Sequence, residues 1–472
     1  MCTIVAHNTL HALDSLASQT HKNESYLTEA TSDPYPTEAK GEDGWLNIFV
    51  HGIISAAPVL SFETMYHIKT DNISNTLYEY YVQNARGNCF FHKNQTMQTI
   101  GLHKIDTCRT DANDGCPATA KLFDMQYGWL DPQQNSKNYY YTYGWSGLIN
   151  KKRMYNDAKM FCEQYSQEIK KFHAQGIYPK TRLIGFSHGG SVCLQVGAVT
   201  QKNNIKTNFA IDELVLLGMP IMQDTDIWTH APIFKNIYSF YSGSDRVQVL
   251  DFSHPKKLFS RRKFKNRNGF TVPNSLTQVR LEIFRAIPYK SGWGFFKTPR
   301  KKHGNLSRHS TSLRKCSPGH CEWWFFGWTN KYYRHNFALA PLSVLSVIPT
   351  IISKLEKSPV KPLKSDKFGK QITVQLKPFE ESITIINKNK KEKTTFLANN
   401  QFDQLKNTVY QHPFTQITAK RYSKEVDKEI KKAKIKLAKY NKKHPKTKKQ
   451  RKHRALKTHQ KQIFKNFQNT LS

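Results

Sequence analysis

The chain holds no unbroken apolar run of the roughly eighteen residues that a membrane-spanning helix requires, which argues against such a span. It is also poor in acid: 35 Asp and Glu stand against 72 Lys and Arg, for a formal charge of +37. A balance that basic bears on solubility and on polyanionic partners, not on fold. None of the eight cysteines forms a paired C-x-x-C, so that zinc arrangement is excluded. Cys89, Cys108 and Cys116 fall in one segment, and Cys316 and Cys321 flank a histidine. Pairing within either group would require an oxidising compartment. Residues 1–18 lack the basic start and continuous apolar core of a secretory leader, so thiols and a cytoplasmic or membrane-peripheral location are expected.

What is present centres on Leu183-Ile184-Gly185-Phe186-Ser187-His188-Gly189-Gly190. An apolar strand runs into a serine bracketed by Gly185 and Gly189, and a helix rich in small residues follows. Glycines belong at such a turn because a β-carbon there would strike the neighbouring strand or helix. The following helix aims its N-terminus at the serine, where free amides favour negative charge.

In chain order, residues 1–40 are polar, aperiodic and expected to be a flexible lead-in. The first strand is Trp45–Val50, ending in His51-Gly52-Ile53. Residues 61–138 are irregular and are expected to be an insertion able to roof a site. A strand over 139–145 and a helix from about 152 to 175 follow, the helix with Met154, Ala158, Phe161, Cys162, Tyr165 and Ile169 on one face. Strands are expected at 211–219 and 234–241, with a last one at 279–284. Alternating strands and helices predict an α/β domain over 41–357 with a mostly parallel, doubly wound sheet. Residues 337–355 read as a closing helix kinked or broken at Pro349. The rest comprises a small β-rich extension at 358–418 and a lysine-rich helix or disordered arm at 419–472. From Arg421 onward that arm holds nineteen Lys and Arg and only three acids.

A nucleophilic serine needs a histidine base, itself oriented by a carboxylate. Asp245, in a Gly-Ser-Asp turn straight after the 234–241 strand, is the expected acid; Asp224, Asp226 and Asp251 are its rivals. His320, in a Pro-Gly turn before an aromatic run, is the expected base, and His335, opening the closing segment, is the chief rival. His254 precedes the last expected strand, while His303 and His309 lie among cations that would lower their basicity.

Together, Val50-His51-Gly52, Gly185-Phe186-Ser187-His188-Gly189-Gly190 and Gly243-Ser244-Asp245 resemble the lipase branch of the α/β-hydrolase superfamily, with a serine turn similar to that of bacterial triacylglycerol lipases. Over about residues 44–355, the resemblance implies an α/β-hydrolase fold with Ser187 as nucleophile, Asp245 as acid and His320 as base. It further implies the amides of Ile53 and His188 as oxyanion donors, supported by His51, Gly52, Gly185 and Gly189. The expected activity is hydrolysis of carboxylic esters, of lipids above all, requiring neither metal nor organic cofactor. The other expectation is a non-catalytic binding protein on the same fold, whose basic tail engages nucleic acid or an anionic membrane.

Overall fold

The computed structural model describes residues 44–445 apart from 55–63, 65–66, 69–71, 89, 108–113, 133–136, 203–207, 250–259, 289–310, 327–337, 388, 390 and 410–415. The 1–40 lead-in, Asp251, His254, His303, His309 and His335 therefore lie outside the described residues.

The fold is α/β, built on one mostly parallel sheet. Its core strands are β1 (Trp45–Val50), β3 (Tyr139–Gly144), β4 (Lys180–Phe186), β5 (Ile211–Leu217), β6 (Phe234–Tyr241) and β7 (Leu276–Pro288), parallel in the order β3-β1-β4-β5-β6-β7. The short β2 (Gly101–Lys104) closes the β3 edge antiparallel, and β8 (Thr311–Cys316) pairs antiparallel with the far half of β7. The chain starts at β1, moves to β3 on one side, then returns past β1 to β4 on the other. Such a reversal leaves a crevice beyond the strand ends that neighbouring crossovers cannot fill. The crevice here lies beyond the ends of β1 and β4, at His51 and Ser187.

Strands buried on both faces must be apolar on both. In β1, Leu46, Ile48 and Val50 face one cluster and Phe49 the other. The first cluster is covered by α3 (Lys151–Ala174), whose Met154, Ala158, Phe161, Cys162, Tyr165 and Ile169 are all buried as expected, and by α4 (His188–Lys202). Asn150 caps α3, its Oδ1 accepting from the Arg153 amide at 2.8 Å. The second cluster is covered by α2 (Gly115–Leu130), through Phe123 and Tyr127, and by α5 (Ile348–Glu356) and α6 (Gln401–Val409).

Three expectations change in detail. The 61–138 segment is not simply a roof: it contains α1 (Leu77–Arg86) and α2, and α2 is the helix that carries the chain from β1 towards β3 against the sheet. Pro349 does not break a helix; it sits in the first turn of α5, where its missing N–H is no loss. The strand at 279–284 is longer and not the last. Beyond it β10 (Gly369–Lys377) joins β7 in parallel, followed by β11 (Ser382–Asn387) and β12 (Lys393–Leu397), with β9 (Leu363–Ser365) on β10. The β-rich segment thus continues the central sheet and covers the backbone edge that β7 would otherwise present. Of the lysine-rich arm, the part up to residue 443 is helical, in α7 (Gln416–Lys443), and residues 446–472 lie outside the described residues.

Within the α2-side layer, Arg182 Nε donates to Glu213 Oε2 at 2.5 Å, and its Nη1 donates to the Tyr127 hydroxyl at 2.6 Å, which in turn donates to Asn47 Oδ1 at 2.8 Å. Both members of the ion pair are almost fully buried. Removing one partner strands the other charge in the core, at a cost of about 3–5 kcal/mol. Glu213→Ala is expected to lower the unfolding free energy measured by urea titration by that amount, and Arg182→Met with Glu213→Leu to recover most of it; an unaffected single mutant would show that the pair is not tying β4 to β5.

Candidate functional site

Ser187 occupies the turn between β4 and α4 with a left-handed φ of 52°, a conformation costing a non-glycine residue about 1–2 kcal/mol. The turn is held from both sides: the Ser187 amide donates to the Leu217 carbonyl of β5 at 3.0 Å, and its carbonyl accepts from Gly190 at 2.9 Å. The bracketing glycines are required by contact. A β-carbon on Gly185 would lie 2.6 Å from Gly190 Cα, and one on Gly189 would lie 2.3 Å from the His51 carbonyl oxygen.

His320 Nε2 lies 3.0 Å from Ser187 Oγ, and its Nδ1 lies 3.0 and 3.1 Å from the two oxygens of Asp245. Asp245 is fully buried, and three donors converge on its carboxylate: His320 Nδ1, Trp323 Nε1 at 2.9 Å and the Gln248 amide at 2.9 Å. With Nδ1 donating to the carboxylate, Nε2 is left to accept from the serine hydroxyl. The acid loop and the histidine loop are stitched together, since the Ser242 hydroxyl donates to the Pro318 carbonyl and accepts from the Asp245 amide. Arg262 Nε adds a bond to the Asp245 carbonyl at 3.0 Å. The histidine ring rests on Phe186, centroids 4.8 Å apart, and Phe186 stacks in turn on the buried Trp324. At the end of β5, Gly218 has φ +57°, and a β-carbon there would come within 2.9 Å of both Trp323 and Asp245.

The rivals are engaged elsewhere: Asp224 pairs with Lys151, and Asp226 pairs with Arg267 at 2.9 Å. Cys316 and Cys321 are free thiols, with burial pushing both up, and so are Cys116, Cys162 and Cys193. No group of three or more His, Cys, Asp or Glu is placed to hold a metal among the described residues.

The loop after β1 closes on the serine from the other side. A β-carbon on Gly52 would sit 2.9 Å from the Phe186 ring and 3.1 Å from Ser187 Cβ, so a larger residue there would have to displace them. His51 Nδ1 donates to its neighbour's carbonyl, Gly52 O, at 2.6 Å, while Nε2 accepts from Arg86 Nη2 at 3.1 Å. The tautomer follows from the partners, because a guanidinium only donates. Burial pulls Arg86 down to about 10, so it stays a cation at neutral pH. Its other bonds run to the Trp145 and Gln98 carbonyls, and Trp145 Nε1 donates to the His51 carbonyl at 2.6 Å. In a trans peptide the N–H points opposite to the C=O. Pinning Gly52 O therefore fixes the direction of the Ile53 amide. His188 begins α4 directly after the serine. Sequence reasoning missed Trp323, Gln248 and Arg86. Trp323 stands only three residues past His320, whereas Arg86 carries no local signal.

Glu322 is buried beside the His320 turn, and burial pushes its carboxyl from 4.5 up to about 7. The native state then binds more protons than the unfolded chain between those values, so stability falls as pH rises through that window and levels off above it. The loss amounts to roughly 3 kcal/mol by pH 8. Glu322→Gln mimics the neutral acid, and its stability relative to the parent is expected to rise by that amount between pH 4.5 and pH 8 in urea titrations. A pH-independent difference would refute the buried-acid assignment. Comparison with protein-family models, with curated proteins and with solved structures yields no match.

Proposed function

We propose that this chain is a serine hydrolase of the α/β-hydrolase type that cleaves carboxylic esters, lipid esters in particular. The observation that carries the reading is the unbroken hydrogen-bond chain from Ser187 Oγ through His320 to the buried Asp245 carboxylate. In this reaction His320 Nε2 takes the serine proton as Oγ attacks the ester carbonyl. Asp245 stabilises the imidazolium that results without itself taking the proton. The amides of Ile53 and His188 receive the oxyanion, each worth roughly 2.7–4 kcal/mol in the transition state. His320 then protonates the leaving alcohol, the acyl group stays on Ser187, and a water activated by the same base releases the acid. Thioesters would be cleaved by the same groups.

Turnover of p-nitrophenyl esters tests the assignment. Ser187→Ala and His320→Ala are each expected to lose about four to six orders of magnitude in kcat with melting temperature preserved, while His335→Ala stays near the parent. Activity that survives in His320→Ala but vanishes in His335→Ala would transfer the base to His335. Trp323→Phe deletes one hydrogen bond to a charged group and is expected to lower kcat about 10–100-fold with KM little changed.

A further inference from the structure

We propose that the outward face of α7 is a docking surface for an anionic lipid leaflet. Lys424, Lys428, Lys431, Ile435, Lys439 and Lys442 follow one another at intervals of three or four residues, the spacing that puts side chains in one line along a helix. All six are exposed, and the line runs about 27 Å along the axis. Glu425 and Glu429 both accept from Asn88 Nδ2 at 3.1 Å on the packed side, Glu425 also reaching Lys428 of the row at 3.7 Å, and Asp427 is the exposed acid beside the row; the other four lysines of the row lie outside these pairs.

The helix is held in place by its other side. Val426, Glu429 and Ala433 are buried, and the apolar pair packs in one cluster with Tyr78, Tyr81 and Val82 of α1. Lys436 Nζ donates to Asn84 Oδ1 at 2.6 Å. Helix α1 ends at Arg86, which bonds His51, and the same apolar cluster contains Ile54 with Ile53 packed against it. The cationic row is therefore fastened to the loop beside Ser187.

Like charges three and four residues apart repel along a helix. A negatively charged plane relieves that repulsion along the whole row at once. Ile435, 49 % exposed at the centre of the row, suits the boundary between headgroups and acyl chains. The row's composition favours lipid over nucleic acid. It lacks the arginine forks that grip phosphates and the aromatic rings on which bases stack.

The choice of a lipid surface rests on the ester-hydrolase reading, so binding is measured on full-length Ser187→Ala protein, where turnover plays no part. Vesicles of phosphatidylcholine alone and with phosphatidylserine are the probes, in a sedimentation assay across a salt series. Binding is expected only with phosphatidylserine, weakening as salt rises. Replacing Lys424, Lys428, Lys431, Lys439 and Lys442 by Gln removes about fivefold per lysine, so a loss of at least roughly a hundredfold is expected. Ile435→Ser is expected to weaken binding several-fold. With the native serine, the five-lysine variant is expected to cleave a soluble short-chain ester at the parent rate. Equal binding of the five-lysine variant and the parent would overturn the proposal, as would preference for double-stranded DNA over vesicles at matched salt. Vesicle binding as expected, in a protein that cleaves no ester, would sustain the docking face and sink the hydrolase reading instead.

Discussion

The turn at Ser187 and the loop at His51 approach so closely that a side chain at Gly189 has no room and one at Gly52 is crowded. A β-carbon at Gly189 would overlap the His51 carbonyl, and one at Gly52 would press on Phe186 and Ser187. The rest of the site depends on that contact. In the same loop the His51 ring holds the Gly52 carbonyl through Nδ1 and accepts from Arg86 at Nε2. The sheet supplies the place, since β1 and β4 are neighbours whose following segments leave in different directions. The serine turn itself is strained, and the strain is sustained by backbone bonds to Leu217 and Gly190.

A second group of contacts fixes the carboxylate end. Burying Asp245 without partners would be prohibitive, and three donors make it tolerable. Two come from the His320 loop and one from the turn after Asp245 itself, so the loops are positioned by the charge they share. Gly218 is needed because Trp323 and Asp245 crowd the end of β5. Phe186, one residue before the serine, supports the histidine ring. Neighbours in the sequence thus serve both ends of the hydrogen-bond chain.

Much of this was legible because the signals are local. Ser187 stands in a glycine-bracketed turn between an apolar strand and a small-residue helix, and Asp245 follows a strand directly. Among several histidines, His320 is set apart by its Pro-Gly turn and the aromatic run behind it, whose Trp323 and Trp324 are fully buried. Contacts made at long range were not legible. Arg86 lies 35 residues from His51 and joins it only once α1 has packed. Helix α2 was hidden by Gly115, Pro117 and Gly128, which blur its periodicity although Phe123 and Tyr127 are core. The alternation in β10 and β11 announces half-covered strands but not the edge they join. Pairing with β7 follows from an open parallel edge, which only the assembled sheet reveals.

The central claim is an activated serine, and the most direct measurement is a mass-spectrometric map of the native protein after reaction with a fluorophosphonate. The account predicts one adduct, on the Ser187 peptide, absent after prior denaturation and absent in His320→Ala. An unmodified Ser187, or labelling that is the same in native and denatured protein, would contradict it.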